Sequence, residues 1–477
     1  MDQQSAKQFG DAGNRHRAQR DAGVWVRGGG VVLLAGVLLA GCKGMPTKDE
    51  RAARQDLQSV SNVFRPLPAG KALPPLAPGA PLGDYLRFAM LNQPQVVAAY
   101  YDWVASVERI TVERSLPDPR LTFETDIMDI VQSIMPGLMM EFPGPGKLKA
   151  AAAVASAESR TKYFAFETAV LQAALAVKEA YYQLWFLEEK IRINRQTLEL
   201  LGDLEKLARA KNDTGKVTLQ DVYRAQIEQD QLTTELVNLE DSRRALMAQL
   251  KGALGLRREQ PDPPVPTKWE TTPLNLEGEA ILDTAFARNP RLKGMEAELR
   301  MAEASIAMAR KARVPDFSLG LEADVKAAPT MYRPSAGMSL PLWRDKIAAQ
   351  IAAAQAGRHA AAARLSGEQI MTTVDFAMKT YDYRESTRAL TLLQEKLIPK
   401  ARQSLDIARA GYLSSQIDFF NLMDAQRTWL GFQMDEVEAR MRREVLLAYL
   451  SLTIAGTAPE GAPILPPAAS VPKPVSH

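Results

Sequence analysis

A pattern of strands and long helices is written twice in this chain. It runs from about Leu82 to Leu254 and again from about Leu276 to Ala455. Pro94 in Asn-Gln-Pro answers Pro290 in Arg-Asn-Pro, and Pro117-Asp118 answers Pro315-Asp316. Phe142-Pro143 answers Leu340-Pro341, and Ala225-Gln226 answers Ala425-Gln426. The separations are 196, 198, 198 and 200 residues, a drift of only four over the whole unit. A duplication of this length means one fold unit used twice, side by side. It constrains the fold because neither copy alone holds enough strands for a closed structure.

Bulk composition narrows the function. The 477 residues are enough for two or three ordinary domains. A net charge of +3 with 24% charged residues does not suggest nucleic acid as a partner. Three His and one Cys argue against a His/Cys metal cage or a disulfide framework. Sparse aromatics beside abundant Ala, Leu, Glu, Gln and Arg favour long helices. No spaced His/Cys/Asp cluster and no Gly-rich phosphate loop is found, so no catalytic residues, metal site or cofactor are assigned. His359, in an Ala-rich helical pattern, reads as an exposed residue.

The single cysteine carries a second signal. Arg15, Arg17, Arg20 and Arg27 precede an apolar run from Val31 to Ala40, followed by Leu39-Ala40-Gly41-Cys42. A positive flank, a short apolar stretch and small residues before a cleavage point read as a secretory signal over residues 1–41. Ten apolar residues span only about 15 Å as helix, too short for a hydrocarbon core of about 30 Å. Leu-Ala-Gly-Cys resembles the bacterial lipobox. That resemblance implies cleavage before Cys42 and lipid attached there, with an ordinary signal and an incidental Cys as the alternative.

Residues 42–81 are charged, then rich in Pro and Gly, and read as an extended tether. The stretch 255–275 between the copies carries Pro261, Pro263, Pro264 and Pro266 and reads as an extended linker. Residues 456–477 are rich in Pro and Ala and read as a disordered tail.

In copy one, Asp84 to Arg114 reads as a helix stopped by Pro117 and Pro119. Arg120 to Ile127 then alternates, with Leu121, Phe123, Thr125 and Ile127 opposite Thr122, Glu124 and Asp126. Pro136-Gly137 reads as a break before a second alternating run, Leu138 to Phe142. In copy two, Phe317, Leu319, Leu321, Ala323 and Val325 oppose Ser318, Gly320, Glu322 and Asp324, and Ala336 to Leu340 alternates again. Such period-two patterns suit membrane barrel strands and half-buried soluble strands equally. The lipoprotein signal favours the membrane.

Long helical patterns follow both strand pairs. Lys147 to Lys211 holds no Pro, and Asp345 to Ala410 holds only Pro399. Turns at Asn212–Gly215 and Gly411–Ser415 lead into shorter helices, Val217 to Leu254 and Ile417 to Ala455. The long helix of copy one would span about 98 Å, and its two short helices about 104 Å together. Two short helices stacked end to end therefore match one long helix, and each copy becomes an antiparallel rod with strands at one end and a turn at the other.

Four strands do not close a barrel, and open edges in lipid leave backbone groups unpaired at several kcal/mol each. Two chains give eight strands with a filled interior, and three give twelve with room for a lumen. Three is favoured. Glu124, Asp126, Glu141, Glu322 and Asp324 would then line the lumen, a placement that water-facing polarity alone also explains.

At this point the chain resembles the TolC-type outer membrane efflux proteins over about Leu82 to Ala455. The resemblance rests on the duplication, the strand-to-long-helix order and two turn sequences. These are Thr214-Gly215-Lys216-Val217-Thr218-Leu219-Gln220-Asp221-Val222, and Ala410-Gly411-Tyr412 through Asp418 and on to Ala425-Gln426. Phe142-Pro143-Gly144-Pro145-Gly146-Lys147 is similar to the heavy-metal branch. The resemblance implies a mainly α fold with a small membrane β-barrel: a homotrimer whose twelve-stranded barrel continues into an α-helical coiled-coil tunnel. It implies an exit duct in the bacterial outer membrane, lipid-anchored and with a periplasmic helical domain. A periplasmic adaptor and an inner membrane pump of the RND type would complete the route, and the chain would do no chemistry itself.

By the same resemblance, Tyr412 matches a gate tyrosine, Asp221 its bonding partner and Asp424 an acidic ring. Asn421 stands where a second ring Asp is expected, and Ile417 where a locking Arg is expected. Gly215, Lys216, Gly411, Ser414 and Ser415 form the tips that would dock the adaptor. Two other readings compete: a lipid-anchored coiled-coil spacer, and the same fold exporting protein or polysaccharide. The cargo is not legible in the sequence.

Overall fold

Pro94 and Pro290 each end one helix and start another. A proline disfavours helical backbone in the residue before it, and Gln93 and Asn289 are accordingly extended, with ψ of 118° and 117°. The single helix expected over Asp84 to Arg114 is therefore two. The computed structural model describes residues 45–64, 76–127, 131–271 and 278–459. Apart from 45–47, these fall in one unit, Lys48–His477.

Its elements in order are α1 (Lys48–Val63), α2 (Leu82–Asn92), α3 (Pro94–Arg114), β1 (Arg120–Ile127), β2 (Val131–Phe142), α4 (Lys147–Asp213) and α5 (Leu219–Ala253). The second copy follows with α6 (Gly278–Arg288), α7 (Pro290–Lys311), β3 (Phe317–Asp324), β4 (Met331–Met338) and α8 (Arg344–Leu392). A π-helical turn (Leu393–Leu397), α9 (Ile398–Leu413), α10 (Phe419–Tyr449) and a second π-helical turn (Leu450–Ile454) complete it.

The helix α4 has 67 residues, about 100 Å. α3 packs along one part of it and α5 along another. The two short helices meet end to end: Gln93 Nε2 donates to the carbonyls of Gly252 (3.0 Å) and Ala253 (3.3 Å), and Asn92 Nδ2 to that of Leu254 (3.1 Å). Copy two repeats the joint, with Asn289 Nδ2 donating to Thr453 (2.8 Å) and Ile454 (3.1 Å). These side chains satisfy the last carbonyls of a helix, which have no partner within it. Gly255 (φ 72°) and Gly456 (φ 65°) close the two joints. An added Cβ would lie 2.8 Å from Asn92 O at the first and 2.9 Å from Pro290 Cδ at the second.

Three further expectations are corrected. The tether 42–81 is not extended throughout, because Lys48–Val63 is helical. It docks through buried Glu50 and Phe64, whose ring packs 5.0 Å from Tyr100 and 5.5 Å from Phe166. Pro136-Gly137 is no break: β2 runs through it and Pro136 sits opposite Phe123. The β2–β3 register ends at Gly137, so the N–H that Pro136 lacks interrupts no ladder beyond that point. The long helix of copy two is not continuous either, because the π-helical turn precedes Pro399. A proline cannot donate back to the previous turn, and a widened turn absorbs the mismatch.

The described part of the linker, 255–271, turns at 258–260, holds no helix or strand beyond, and is firmly packed. Tyr85 donates to Pro264 O (2.9 Å), Tyr181 to Lys268 O (2.7 Å) and Tyr182 to Glu270 O (2.7 Å). These tyrosines belong to the main core around α4, with Trp103 and Phe166. A second core at the far turn joins Leu204, Ala208 and Val222 to Leu405, Tyr412 and Leu422.

Candidate functional site

Among the described residues the strands form one antiparallel sheet in the order β1-β2-β3-β4, so β1 and β4 are both free edges there. Leu121 pairs with Leu138, Leu138 with Leu321, and Leu321 with Pro334. Because side chains alternate, this register gathers Leu121, Phe123, Leu138, Leu319, Leu321 and Met338 on one face, all of them exposed. Leu121 is 83% exposed, a large apolar surface without a partner in the protomer.

The other face carries the acidic residues. Glu124 and Asp126 are exposed, and Glu141 stands 3.3 Å from Arg120. Glu322 lies beside Gly137, opposite Arg333. Asp324, expected with them along the lumen, has a structural task within the protomer. It is buried, and its Oδ1 accepts from the backbone of Lys326 (3.1 Å) and Ala327 (3.3 Å), shaping the β3–β4 turn.

Where sheet meets helices, one contact ties the copies. Lys147 Nζ donates to both Asp316 oxygens (2.7 and 2.8 Å), and Gly144 N to Oδ1 (2.8 Å). The Pro-Asp motif of copy two thus holds the strand-to-helix crossover of copy one. A cleft of about 870 Å³ opens beside this tie, lined by Leu116, Leu148 and Met308.

At the opposite end the two tips share one geometry. Gly215 N donates to Asn212 O (2.8 Å) and Lys216 N to Lys211 O (2.9 Å). Two hundred positions on, Ser415 N donates to Tyr412 O (3.1 Å) and Gln416 N to Gly411 O (2.8 Å). Both are left-handed helix caps, with φ of 71° at Gly215 and 60° at Ser415. Glycine adopts this backbone freely, whereas serine does so at a cost of about 1 kcal/mol.

The tips differ where they face each other. Asn212 answers Tyr412, Asp221 answers Asn421, and Arg224 answers Asp424. Tyr412 is buried, packs 5.3 Å from the Phe419 ring, and points its hydroxyl at Asp221 Oδ2, 3.5 Å away. Burial pushes the Asp221 carboxyl above its usual range, against the opposing pull of Arg224 and of the Tyr412 hydroxyl. Burial, then the Asp221 charge, pushes the Tyr412 phenol up as well. Asn421 and Asp424 are exposed and line a groove of about 290 Å³ with Ile417. Gly215, Lys216, Ser414 and Ser415 are exposed at the turns, whereas Gly411 is buried under Ile417.

Lys211 was not among the residues singled out from sequence. It is buried in the tip and contacts copy two. Comparing the copies position by position would have flagged it, since Gly411 stands at the matching place. The cluster holding α1 was equally hidden. Glu50 is paired with Arg114 (2.5 Å) and Arg54 (3.3 Å) and accepts from Thr111 (2.8 Å). Cys42 lies outside the described residues. Among the described residues no group of three or more His, Cys, Asp or Glu gathers as a metal site, and no helix is long and apolar enough to cross a membrane.

The fold is shared with solved channels. The outer membrane protein VceC of Vibrio cholerae superposes with a TM-score of 0.66 at 16% identity, over 78% of this chain and 96% of that one. CusC superposes with a TM-score of 0.67 at 14% identity, over 82% and 96%. Helical hairpins ending in a small open-edged sheet are thus the fold that this chain shares with these outer membrane proteins. The family described as outer membrane efflux protein matches residues 87–256 and 281–455, most of both copies. This chain belongs to the outer membrane efflux protein family.

Among curated proteins it is similar to the cobalt-zinc-cadmium resistance protein CzcC of Cupriavidus metallidurans. The identity is 23% over 265 residues, 53% of this chain and 60% of that protein. It is also similar to the probable outer membrane lipoprotein SilC of Salmonella typhimurium, 23% identical over 307 residues, 61% of this chain and 66% of that protein. The chain spans just under two thirds of the length of either relative at most.

Proposed function

We propose that this chain is one protomer of a homotrimeric exit duct, anchored by lipid at Cys42, in a tripartite efflux system. The observation that carries the reading is the sheet. Its apolar face is exposed, its polar face carries Glu124, Asp126, Glu141 and Glu322, and both edges are unpaired. In lipid such a sheet is stable only when further copies close it. The helices support the same reading. α8 has 49 residues, of which only Ile347, Ala361, Thr372, Ser386 and Leu390 are buried, a surface that a neighbouring copy would cover. A coiled-coil spacer would leave the apolar sheet face without a role.

The tip is the gate of this duct, held by Tyr412 and Asp221, with Asp424 as its acidic ring and Asn421 and Ile417 as departures from a fuller lock. The exposed turns at Gly215, Lys216, Ser414 and Ser415 are where a periplasmic adaptor would dock, carrying cargo from an inner membrane pump of the RND type. Similarity to the cobalt-zinc-cadmium resistance protein puts heavy-metal cations first as cargo. A deletion strain tested against cobalt, zinc, cadmium, dyes and antibiotics decides this: selective metal sensitivity supports the metal branch, and sensitivity to dyes and antibiotics alone overturns it. Purified protein should run as a heat-modifiable trimer and stay in the membrane when Cys42 is replaced. A monomer released by that replacement would be a spacer.

A further inference from the structure

We propose that Lys211 is the second bolt of this gate, supplying the hold that Ile417 lacks. The proposal rests on reading the helical tip as a channel gate. The Lys211 side chain leaves α4 in copy one and ends in the turn of copy two. Its Nζ donates to the backbone carbonyl of Tyr412 and to Ser415 Oγ (3.1 Å), and it stands 4.5 Å from the centre of the Tyr412 ring. An ammonium offers three donors and is drawn to the face of an aromatic ring, so all three contacts suit it.

The socket is built at the one turn that needs support. The Tyr412 carbonyl already accepts from Ser415 N, and Ser415 holds the left-handed backbone that its counterpart Gly215 adopts without penalty. Lys211 binds that carbonyl and that serine together. It therefore fixes the shape of the copy-two turn and its position against α4.

The arrangement runs in one direction. The counterpart of Lys211 is Gly411, and a side chain there would strike Ile417 Cδ1 at 2.6 Å. Copy one thus provides the arm and copy two the socket. Asp221 reaches in the same direction, from copy one to the Tyr412 hydroxyl. One residue, Tyr412, is held at its hydroxyl by a carboxylate and at its backbone and ring by an ammonium. Separating the tips requires releasing both. Lys211 is only 7% exposed, and a buried charge parted from its partners is costly until water reaches it, so this contact opens as a unit.

Single-channel conductance of the full-length trimer in planar lipid bilayers tests the bolt. Lys211→Met keeps the length and removes the charge, and should raise conductance several-fold. Lys211→Arg keeps charge and donors and should stay within two-fold of wild type (roughly 0.4 kcal/mol). Ser415→Ala removes one acceptor without touching the lysine and should open the channel partially. Heat-modifiable migration confirms that each variant is assembled. Should Lys211→Met fail to assemble, Ser415→Ala carries the decision. Unchanged conductance in the assembled Lys211→Met variant, or in Ser415→Ala where it alone assembles, overturns the proposal, provided that Tyr412→Phe and Asp221→Ala open the channel. If wild type and every variant carry no current, the gate reading falls and the bolt with it.

Discussion

The Tyr412 hydroxyl lies 3.5 Å from Asp221 Oδ2, across the junction between the two copies at their helical tips. The distance is at the outer limit of a hydrogen bond, and the phenol is buried while the carboxylate is half-buried. If this pair holds the gate, Tyr412→Phe and Asp221→Ala each raise single-channel conductance several-fold without loss of the trimer. A net contribution of about 1–2 kcal/mol per pair corresponds to roughly a five- to thirty-fold shift in the closed-to-open ratio. Unchanged conductance in both would reduce Tyr412 to ordinary tip packing.

Acidity should tighten the tip. The folded pKa of Asp221 lies above its unfolded value because burial penalises the charge. Protonation therefore favours the clasped form: that stability is fully present below the unfolded value of about 3.9 and is lost as pH rises through the folded one. Arg224 and the Tyr412 hydroxyl oppose the shift, and Asp418 adds to it. Conductance is expected to fall as pH is lowered from neutral towards 4. Asp221→Asn, neutral at every pH, should flatten that dependence. A slope identical to wild type would assign it to other groups, Asp424 among them.

Removing Glu50 should release α1. Its carboxyl is 1% exposed and serves Arg54, Thr111 and Arg114 at once. Burial pushes its pKa up, but the hydrogen bonds from Arg114, Thr111 and Arg54 outweigh that and hold it below the usual range. Stability from Glu50 is thus present above about pH 4.3 and is lost as pH falls through the lower folded value. Glu50→Ala strands the buried end of Arg114 and should weaken docking by about 3 kcal/mol. Hydrogen exchange would show α1 opening while α4 stays protected. Unaltered protection of α1 would show that Val60 and Phe64 in the core suffice to anchor it.

Charge on the apolar sheet face should block membrane insertion. Leu121→Arg and Phe123→Arg each place a cation where lipid is expected, at about 2–4 kcal/mol near mid-bilayer. The fraction resisting an alkaline wash should fall sharply. Thr122→Arg, one residue away on the polar face, should insert normally. Equal behaviour of all three would mean that the face does not meet lipid.

Much of the fold was legible because its signals are local. Period-two alternation located β1 and β3, the absence of proline across Lys147 to Lys211 foretold α4, and the tip sequences marked both turns. Misreadings came where one local rule met a larger constraint. Pro136-Gly137 looks like a break, but the strand continues because pairing with β1 holds it on both sides. Pro399 looked tolerable in one helix, but the backbone widens before it into a π-helical turn. The charged start of the tether looked extended because nothing local shows that Arg114 and Thr111 wait for Glu50.

Apart from Tyr412 and Asp221, which only the family resemblance named, the sequence by itself determined the duplication, the amphipathic runs of β1 and β3 and the length of α4. These follow from periodicity, turn chemistry and composition, which act over a few residues. Only the tertiary structure decided which residues meet across the copies. Lys147 reaches Asp316 across 169 positions, and Lys211 reaches Tyr412 across 201. Such contacts depend on how rods of about 100 Å lie against each other, and a shift of one helical turn would abolish them. That is why the repeat could be read from the chain, whereas the contact of Lys211 with the other copy could not.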